Sequence, residues 1–376
     1  MHPHEPHERT PALGHRTGQH AHEPRPGTGM RPADVFLAGL GCWLPAPFEA
    51  SEAVAAGLYD AAAFAESGLR SVLIAGPESP PDMAVRAART ALSRTPGGAA
   101  AIGTVLHGST FYQGPEMWSP SAYIMRELGI SGAGSTEIRN GCNSMLTGVE
   151  LAAGLLPHQP ASRPDILLTT ADNFNSPLFN RWDSGPMGVI AADAASSVVI
   201  SPTAGFARVD AVVSRVYPEF EAMARGDEPL YPPTGSAGRR IDTVERAEQF
   251  NGRVREVGGV SIADGIAKAC SETVLAALGE AGLDGCDLRW VLVPNGDEAT
   301  TRNCAMDPLG LDVSRSQWEF GCGIGHASAS DQFIALDHLL RTGQLDAGDH
   351  VLLFGGAPGW SAVAVVLTMC EPPSWT

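Results

Sequence analysis

The stretch that decides the fold joins the end of a short strand to a tight glycine turn and a helix. It reads Ile138-Arg139-Asn140-Gly141-Cys142-Asn143-Ser144-Met145-Leu146-Thr147-Gly148-Val149-Glu150. Apolar residues recur at helical spacing as far as Leu156, and Asn143 and Ser144 are residue types that cap a helix N-terminus. Cys142 is therefore predicted at or just before a helix N-terminus, where unpaired N–H groups and the helix dipole favour the thiolate. This position fits a catalytic nucleophile, and it also fits a small buried apolar residue, the commonest role of a free cysteine.

Length and composition indicate a large globular protein. The 376 residues are 44% hydrophobic and 18% charged, as in folded enzymes. A formal net charge of −17 argues against nonspecific nucleic-acid binding. An acidic partner could bind only through a local basic patch. The 7 cysteines show no CxxC pair and no His/Cys metal spacing, so we expect no bound metal. Their odd number suits reduced thiols, and we expect a cytoplasmic protein. No apolar run approaches the roughly 20 residues of a membrane span.

The chain divides into a tail and two halves. Residues 1–31 are rich in His, Pro, Gly and charged residues and lack the apolar core of a signal peptide, so we predict a disordered tail. Residues 32–204 form the first predicted half, which holds Cys142. Residues 205–376 form the second.

The two halves repeat one order of elements. In the first, strand, glycine turn with Cys142, helix and strand follow one another. In the second, a strand ends at Asn295, and a strand at 317–320, a glycine turn with His326, a helix and a strand come later. We infer a duplicated βαβ-type unit. Packed face to face, two such units bring Cys142, Asn295 and His326 toward one interface.

Several stretches along both halves carry a family resemblance. They are Asp82-Met83-Ala84, Pro120-Ser121-Ala122, the Cys142 turn, Ala192-Asp193-Ala194-Ala195, and Phe354-Gly355-Gly356 with Trp360. Through them, the chain from about residue 34 to 370 resembles the thiolase superfamily, close to ketoacyl-ACP synthase III. The resemblance implies an α/β fold of the thiolase type, with αβαβα layers built from two duplicated halves.

The second half departs from ketoacyl-ACP synthase III at two positions. Where those proteins have His in a Pro-His-Gln-Ala-Asn motif, this chain has Asn295, and where they have Asn in a Gly-Asn-Thr motif, it has His326. Residues 325–331 read Gly-His-Ala-Ser-Ala-Ser-Asp. They are similar to the Gly-His-x-Gly-Ala-x-Asp signature of synthase-III-like acyltransferases of polyketide and antibiotic pathways, whose nucleophile is Cys or Ser.

The residues at these positions suit acyl transfer through a thioester. Cys142 is the expected nucleophile and His326 the expected base. Asp331 follows His326 by five residues and is expected to hold its other ring N–H. Asn295 is expected to donate to a thioester carbonyl. The expected oxyanion site is the backbone N–H of Cys142 and, by resemblance, that of Gly356.

Other residues are candidates for substrate and partner contacts. Phe111, Trp118, Phe179 and Trp182 either line an acyl pocket or belong to the core. Six arginines are either phosphopantetheine or carrier-protein contacts or solvated charges: Arg239, Arg240, Arg246, Arg253, Arg255 and Arg302. The resemblance implies a homodimer, in which residues 109–118 and 172–188 reach the neighbour's pocket.

The leading function is an acyltransferase that takes an acyl group from acyl carrier protein or CoA onto Cys142. It then passes the group to a hydroxyl, an amine or a carrier thiol, with no cofactor beyond the acyl-CoA or phosphopantetheine-bound substrate. The alternative is a condensing enzyme that forms a carbon–carbon bond with malonyl-carrier protein. A catalytically silent partner subunit is a third reading, and the intact Cys142, His326 and Asp331 set argues against it.

Overall fold

The structure is a computed structural model, and it describes residues 34–183, 189–256 and 262–375. The predicted tail, residues 1–31, lies outside the described residues. The strands are β1 (Phe36–Trp43), β2 (Pro47–Glu49), β3 (Ser71–Leu73), β4 (Ile102–Gly108), β5 (Gly134–Ile138), β6 (Asp165–Asp172), β7 (Ala194–Ser201), β8 (Ala207–Val216), β9 (Leu288–Leu292), β10 (His350–Ala357) and β11 (Ser361–Met369). The helices are α1 (Ala50–Ala55), α2 (Ala61–Ser67), α3 (Pro80–Ser93), α4 (Pro120–Leu128), α5 (Ser144–Leu155), α6 (Thr243–Glu256), α7 (Ile262–Ala281), α8 (Glu298–Thr301), α9 (Asp307–Leu309), α10 (Trp318–Gly321) and α11 (Asp331–Arg341).

Nine strands form one sheet in the order β5-β4-β6-β7-β1-β8-β11-β10-β9. The two halves meet where β1 pairs with β8 through Phe36–Arg208 and Leu37–Ala207. Moving outward from this junction, each half has the same pattern. In the first half, β1 pairs with β7 and β7 with β6 in antiparallel fashion, and β6 then pairs with β4 in parallel. In the second half, β8 pairs with β11 and β11 with β10 in antiparallel fashion, and β10 then pairs with β9 in parallel. This symmetry is the structural form of the repeat seen in the sequence.

The layers follow from which faces are covered. Helices α5 and α11 lie in one buried cluster together with residues of both half-sheets, including Leu168, Ile200, Val212 and Leu353. The other face of the first half-sheet packs on α3 and α4. The other face of the second half-sheet packs on α7. The sequence-based prediction of an αβαβα thiolase-type fold is confirmed.

The predicted strand at 317–320 is wrong. Trp318–Gly321 is the short helix α10. The hydroxyl of Ser316 accepts the N–H of Trp318, and the Gln317 carbonyl accepts the N–H of Gly321, so local bonds favour a helical turn. A single parallel bridge between Ser316 and Val291 stands where a fifth strand would complete the second half.

Among the helices of the described residues, none combines the length and the apolar character that crossing a membrane requires.

Candidate active site

The turn that carries Cys142 is a short 3-10 segment, Gly141–Asn143, between β5 and α5. Gly141 has a φ of 53°, and a Cβ there would lie 3.1 Å from Pro358 and 3.2 Å from Ala357. A glycine is therefore required for both the conformation and the close approach to the end of β10. The predicted position of Cys142, just before a helix N-terminus, agrees with the structure.

The Asn143 side chain does not cap α5 as the sequence predicted, and it bonds to other partners. The α5 helix has no side-chain cap from Asn143. Instead, the Asn143 amide donates to the carbonyl and the hydroxyl of Ser361, at 2.9 and 3.0 Å, at the start of β11. Ser361 in turn donates to Asn140, so the nucleophile turn is tied to the second half of the chain. No local pattern points to Ser361, because this contact joins residues that are 218 positions apart.

His326 lies directly against the nucleophile. Its Nε2 is 3.1 Å from Sγ of Cys142, and its Nδ1 is 2.6 Å from Oδ2 of Asp331. Its backbone is held by the first half, since its N–H donates to the Ile190 carbonyl and its carbonyl accepts from Ala192. The structure thus brings Cys142, His326 and Asp331 into one hydrogen-bonded line, as the sequence predicted.

The charge on His326 follows from its surroundings. Burial alone lowers the pKa of His326, but the negative charges of Cys142 and Asp331, and the hydrogen bonds to both, raise that pKa well above its usual value. The two neighbouring groups therefore favour the protonated form of the His326 ring.

Both carboxylate oxygens of Asp331 accept two hydrogen bonds each. Its Oδ2 accepts the N–H of His326 and the backbone N–H of Asn295, the latter at 2.8 Å. Its Oδ1 accepts the backbone N–H of Ala327 at 2.7 Å and the side-chain amide of Asn295 at 3.2 Å. With Nδ1 donating to this carboxylate, Nε2 is left to exchange a proton with Cys142.

Asn295 lies beside the triad, in an orientation that differs from the expected one. Its amide nitrogen donates to Asp331 and, at 2.8 Å, to the carbonyl of Gly325. Its oxygen occupies the space that a side chain at Gly321 would fill, 2.3 Å from the Cβ position there. Both amide N–H groups are thus used within the protein, and Asn295 positions Asp331 rather than presenting a donor to substrate. The sequence identified the residue, but its orientation depends on backbone groups of distant segments.

Gly355 and Gly356 bring β10 against the nucleophile turn. A Cβ on Gly355 would lie 2.1 Å from Oδ1 of Asn143, so a side chain at this position would displace the Asn143 amide. Beside Gly356 lies a small cavity of about 20 Å³, bordered by Pro294 and the apolar side chains of Val293 and Phe354. The oxyanion role of Cys142 and Gly356 stays a prediction.

The four predicted pocket aromatics separate into three places. Phe111 and Phe179 pack on one another, with ring centroids 5.6 Å apart, and both contact Phe174. Trp182 is buried in a separate cluster with Tyr59. Trp118 is partly exposed and packs on Tyr123. Their role in binding an acyl group stays a prediction, with Phe111 and Phe179 the pair that shares one cluster.

Most of the candidate arginines are paired with carboxylates of the same chain. The pairs are Arg239–Glu228, Arg240–Asp183, Arg246–Glu228, Arg253–Asp227 and Arg302–Glu298. A carrier protein would compete with these internal partners. The predicted carrier contact through these side chains stays a prediction.

Comparison with known proteins finds relatives of similar sequence. Residues 278–369 match the C-terminal part of 3-oxoacyl-[acyl-carrier-protein] synthase III. The beta-ketoacyl-[acyl-carrier-protein] synthase III of Deinococcus deserti is 25% identical over 341 residues, which are 87% of this chain and 89% of that protein. That of Pseudomonas aeruginosa is 28% identical over 350 residues, 89% of this chain and 97% of that protein.

Solved structures extend the comparison. The structure of ChlB3, described as an acyltransferase, is 36% identical and superimposes with a TM-score of 0.85, covering 91% of this chain and 100% of that one. The 3-oxoacyl-(acyl carrier protein) synthase III of Pseudomonas aeruginosa PAO1 is 20% identical, with a TM-score of 0.70 over 90% of this chain and 99% of that one, and shows the fold alone. The fold and the cysteine site define an enzyme of the transferase class with the thiolase fold. Within that class, the chain belongs to the ketoacyl-ACP synthase III-like proteins of the thiolase superfamily.

Proposed function

We propose that the protein is an acyltransferase that moves an acyl group from a CoA or carrier-protein thioester, through Cys142, to a nucleophilic acceptor. The observation that carries this proposal is the hydrogen-bonded line from Cys142 through His326 to Asp331. It supplies a nucleophile, a base and a group that fixes the tautomer of the base. The 36% identity to a structure described as an acyltransferase supports the same function.

The first half-reaction loads the enzyme. The Cys142 thiolate attacks the thioester carbonyl of the donor, and the bond from that carbon to the donor sulfur breaks. The proton on Nε2 of His326 goes to the leaving thiolate, which departs as CoA or phosphopantetheine thiol. The thioester formed on Cys142 carries no charge. One of the two charges that raise the pKa of His326 is thereby removed, and the histidine stays neutral.

The second half-reaction unloads it. Neutral His326 takes the proton of an acceptor hydroxyl, amine or thiol, and the acceptor attacks the acyl carbon. The bond to Sγ of Cys142 breaks, and the thiolate–imidazolium pair is restored.

The orientation of Asn295 separates transfer from condensation. A decarboxylative condensation needs donors on the enolate that forms from a malonyl thioester. Here the amide of Asn295 donates to Asp331 and Gly325. His326, held by Asp331, suits removal of a proton from an acceptor. This supports transfer over the condensing alternative.

Intact-protein mass spectrometry after incubation with a panel of acyl-CoA and acyl-carrier donors tests the proposal. We expect an acyl adduct on the wild-type protein and none on Cys142→Ala. We expect His326→Ala to slow transfer to an acceptor by at least ~10²-fold, as for loss of a general base. An adduct that persists on Cys142→Ala, or that maps to another cysteine such as the buried Cys322, contradicts the assignment.

We also propose that a second copy of this chain covers the edge of the sheet at β5. Its residues Gly134–Glu137 are exposed, and the nearby side chains of Tyr112, Met117 and Trp118 are exposed as well. An open edge beside an apolar patch is a surface that proteins cover. Sedimentation should show a dimer at micromolar concentration, and Met117→Glu with Trp118→Glu should shift it to monomer. A wild-type protein that sediments only as a monomer contradicts the proposal.

A further inference from the structure

A second polar cluster lies behind the turn that follows His326. Asp172, at the end of β6, is buried with 2% of its surface exposed. Its Oδ1 accepts the backbone N–H groups of Thr110 at 2.9 Å and Phe111 at 2.7 Å. The Thr110 hydroxyl is 2.5 Å from the hydroxyl of Ser328. The cluster therefore joins the end of β6, the loop after β4 and the turn between His326 and α11.

Ser328 has a backbone conformation that disfavours a side chain. Its φ is 56°, in the left-handed region, and it is 1% exposed. Glycine stands at this position in the signature that residues 325–331 resemble. A serine here carries the backbone cost of a Cβ but gains a hydrogen bond to Thr110 that glycine cannot make.

The cluster is placed to act on the catalytic histidine. Ser328 lies two residues after His326 and three before Asp331, inside the turn that sets the distance between them. The preceding residue, Ala327, donates its N–H to Asp331. A bond from Ser328 to Thr110 thus anchors the middle of this turn to the opposite half of the protein.

The carboxyl of Asp172 anchors Thr110 in turn. Because it accepts two consecutive backbone N–H groups, it fixes both the Thr110 hydroxyl and the ring of Phe111. Burial raises the pKa of Asp172 to about 6, while the N–H groups and the nearby hydroxyls of Ser328 and Thr110 act to lower it. The buried carboxyl is thus held by polar groups that also belong to this cluster.

We propose that Thr110, Ser328 and Asp172 form a positioning cluster that keeps the turn after His326 in place, so that Nε2 stays within reach of Cys142. None of the three is assigned to touch the acyl group; they act through His326. The inference rests on the proposed use of His326 as the partner of Cys142, and it adds the residues that hold this partner.

The test compares isosteric variants with and without the hydroxyl. Thr110→Val removes the hydroxyl, and Thr110→Ser keeps it. We measure alkylation of Cys142 by iodoacetamide at pH 7, located by peptide mass spectrometry, together with kcat and KM for acyl transfer. Loss of one buried hydrogen bond should slow alkylation and kcat about five- to tenfold in Thr110→Val, with KM changed less than about twofold. Thr110→Ser should stay within about twofold of wild type.

Ser328→Gly provides the second variant. It suits a φ of 56°, so it should fold at least as well as the wild type, yet it should lose rate like Thr110→Val. Wild-type alkylation and kcat in Ser328→Gly overturn the proposal, as does an equal loss in Thr110→Ser and Thr110→Val. Alkylation requires no acyl donor, so a wild-type protein that transfers no acyl group refutes the proposed function but leaves this test decisive.

Discussion

Replacing Asp331 with asparagine tests how the triad is held together. The carboxylate accepts hydrogen bonds from His326, from Ala327 and twice from Asn295. An amide has one oxygen, so the donors at one of the two oxygens lose their acceptor. Each buried donor left without a partner costs about 1–3 kcal/mol, which gives about 2–6 kcal/mol for two donors.

The effect depends on which carboxylate oxygen of Asp331 the NH₂ group of the new amide replaces. If the NH₂ group replaces Oδ2, His326 loses the acceptor for Nδ1–H, and the tautomer with a proton on Nε2 faces Cys142 and cannot act as a base. If it replaces Oδ1, Ala327 and the Asn295 side chain lose their acceptor and the turn shifts. In both cases one of the two charges that raise the pKa of His326, that of Asp331, is gone. We expect acyl transfer to fall by about 10²-fold or more, since each 1.4 kcal/mol is about a tenfold change in rate.

The assay is single-turnover transfer from acylated enzyme, measured from pH 6 to 9 beside alkylation of Cys142. Asp337→Asn is the matched control, because Asp337 is a buried carboxylate of the same helix, α11, that pairs with Arg94 away from the triad. This control should lose stability and keep its transfer rate per folded molecule. Transfer by Asp331→Asn within about threefold of wild type would refute the role assigned to Asp331.

Two further changes test the packing around the site. Gly355→Ala places a Cβ 2.1 Å from Oδ1 of Asn143, so it should lower the free energy of unfolding by about 1–3 kcal/mol and slow acylation of Cys142. The control is Gly279→Ala in α7, where an added Cβ contacts no other atom. In urea unfolding this control should be as stable as the wild type or more stable. Burial raises the pKa of Asp172 from its ordinary value of 3.8 to about 6, so this carboxyl binds its proton more tightly in the folded protein. Its contribution to stability is present below about pH 4 and is lost as the pH rises through 6. Between pH 4 and pH 7, the free energy of unfolding of Asp172→Asn should therefore rise by up to about 3 kcal/mol relative to that of the wild type, at about 1.4 kcal/mol per pKa unit. A difference in unfolding free energy that does not change with pH would contradict the raised pKa of Asp172.

Local patterns predicted the parts of the fold that depend on neighbouring residues. The strand, turn and helix around Cys142 were predictable because glycine, a capping region and helical spacing lie within one short stretch. The repeat of this order in the second half placed His326 near Cys142. The strand expected at 317–320 failed because Ser316 bonds to the backbone of Trp318 and starts a helical turn.

Contacts between distant segments could not be predicted in the same way. The amide of Asn295 was expected to face substrate, but its direction depends on the missing side chain of Gly321 and on the carbonyl of Gly325. Trp182 was grouped with Phe111 by residue type, yet it packs on Tyr59 in another cluster. Residue type indicates burial, whereas the partner depends on how the whole chain folds.

The most direct test of the central claim, acyl transfer without condensation, is carbon dioxide release from malonyl-carrier protein. Enzyme with an acyl group on Cys142 is mixed with malonyl-carrier protein labelled at the free carboxyl, alone and with a nucleophilic acceptor. We expect no labelled carbon dioxide in either mixture and an acylated acceptor in the second, because the amide of Asn295 donates to Asp331 and Gly325. Steady release of carbon dioxide coupled to a 3-oxoacyl product would contradict it and establish the condensing enzyme.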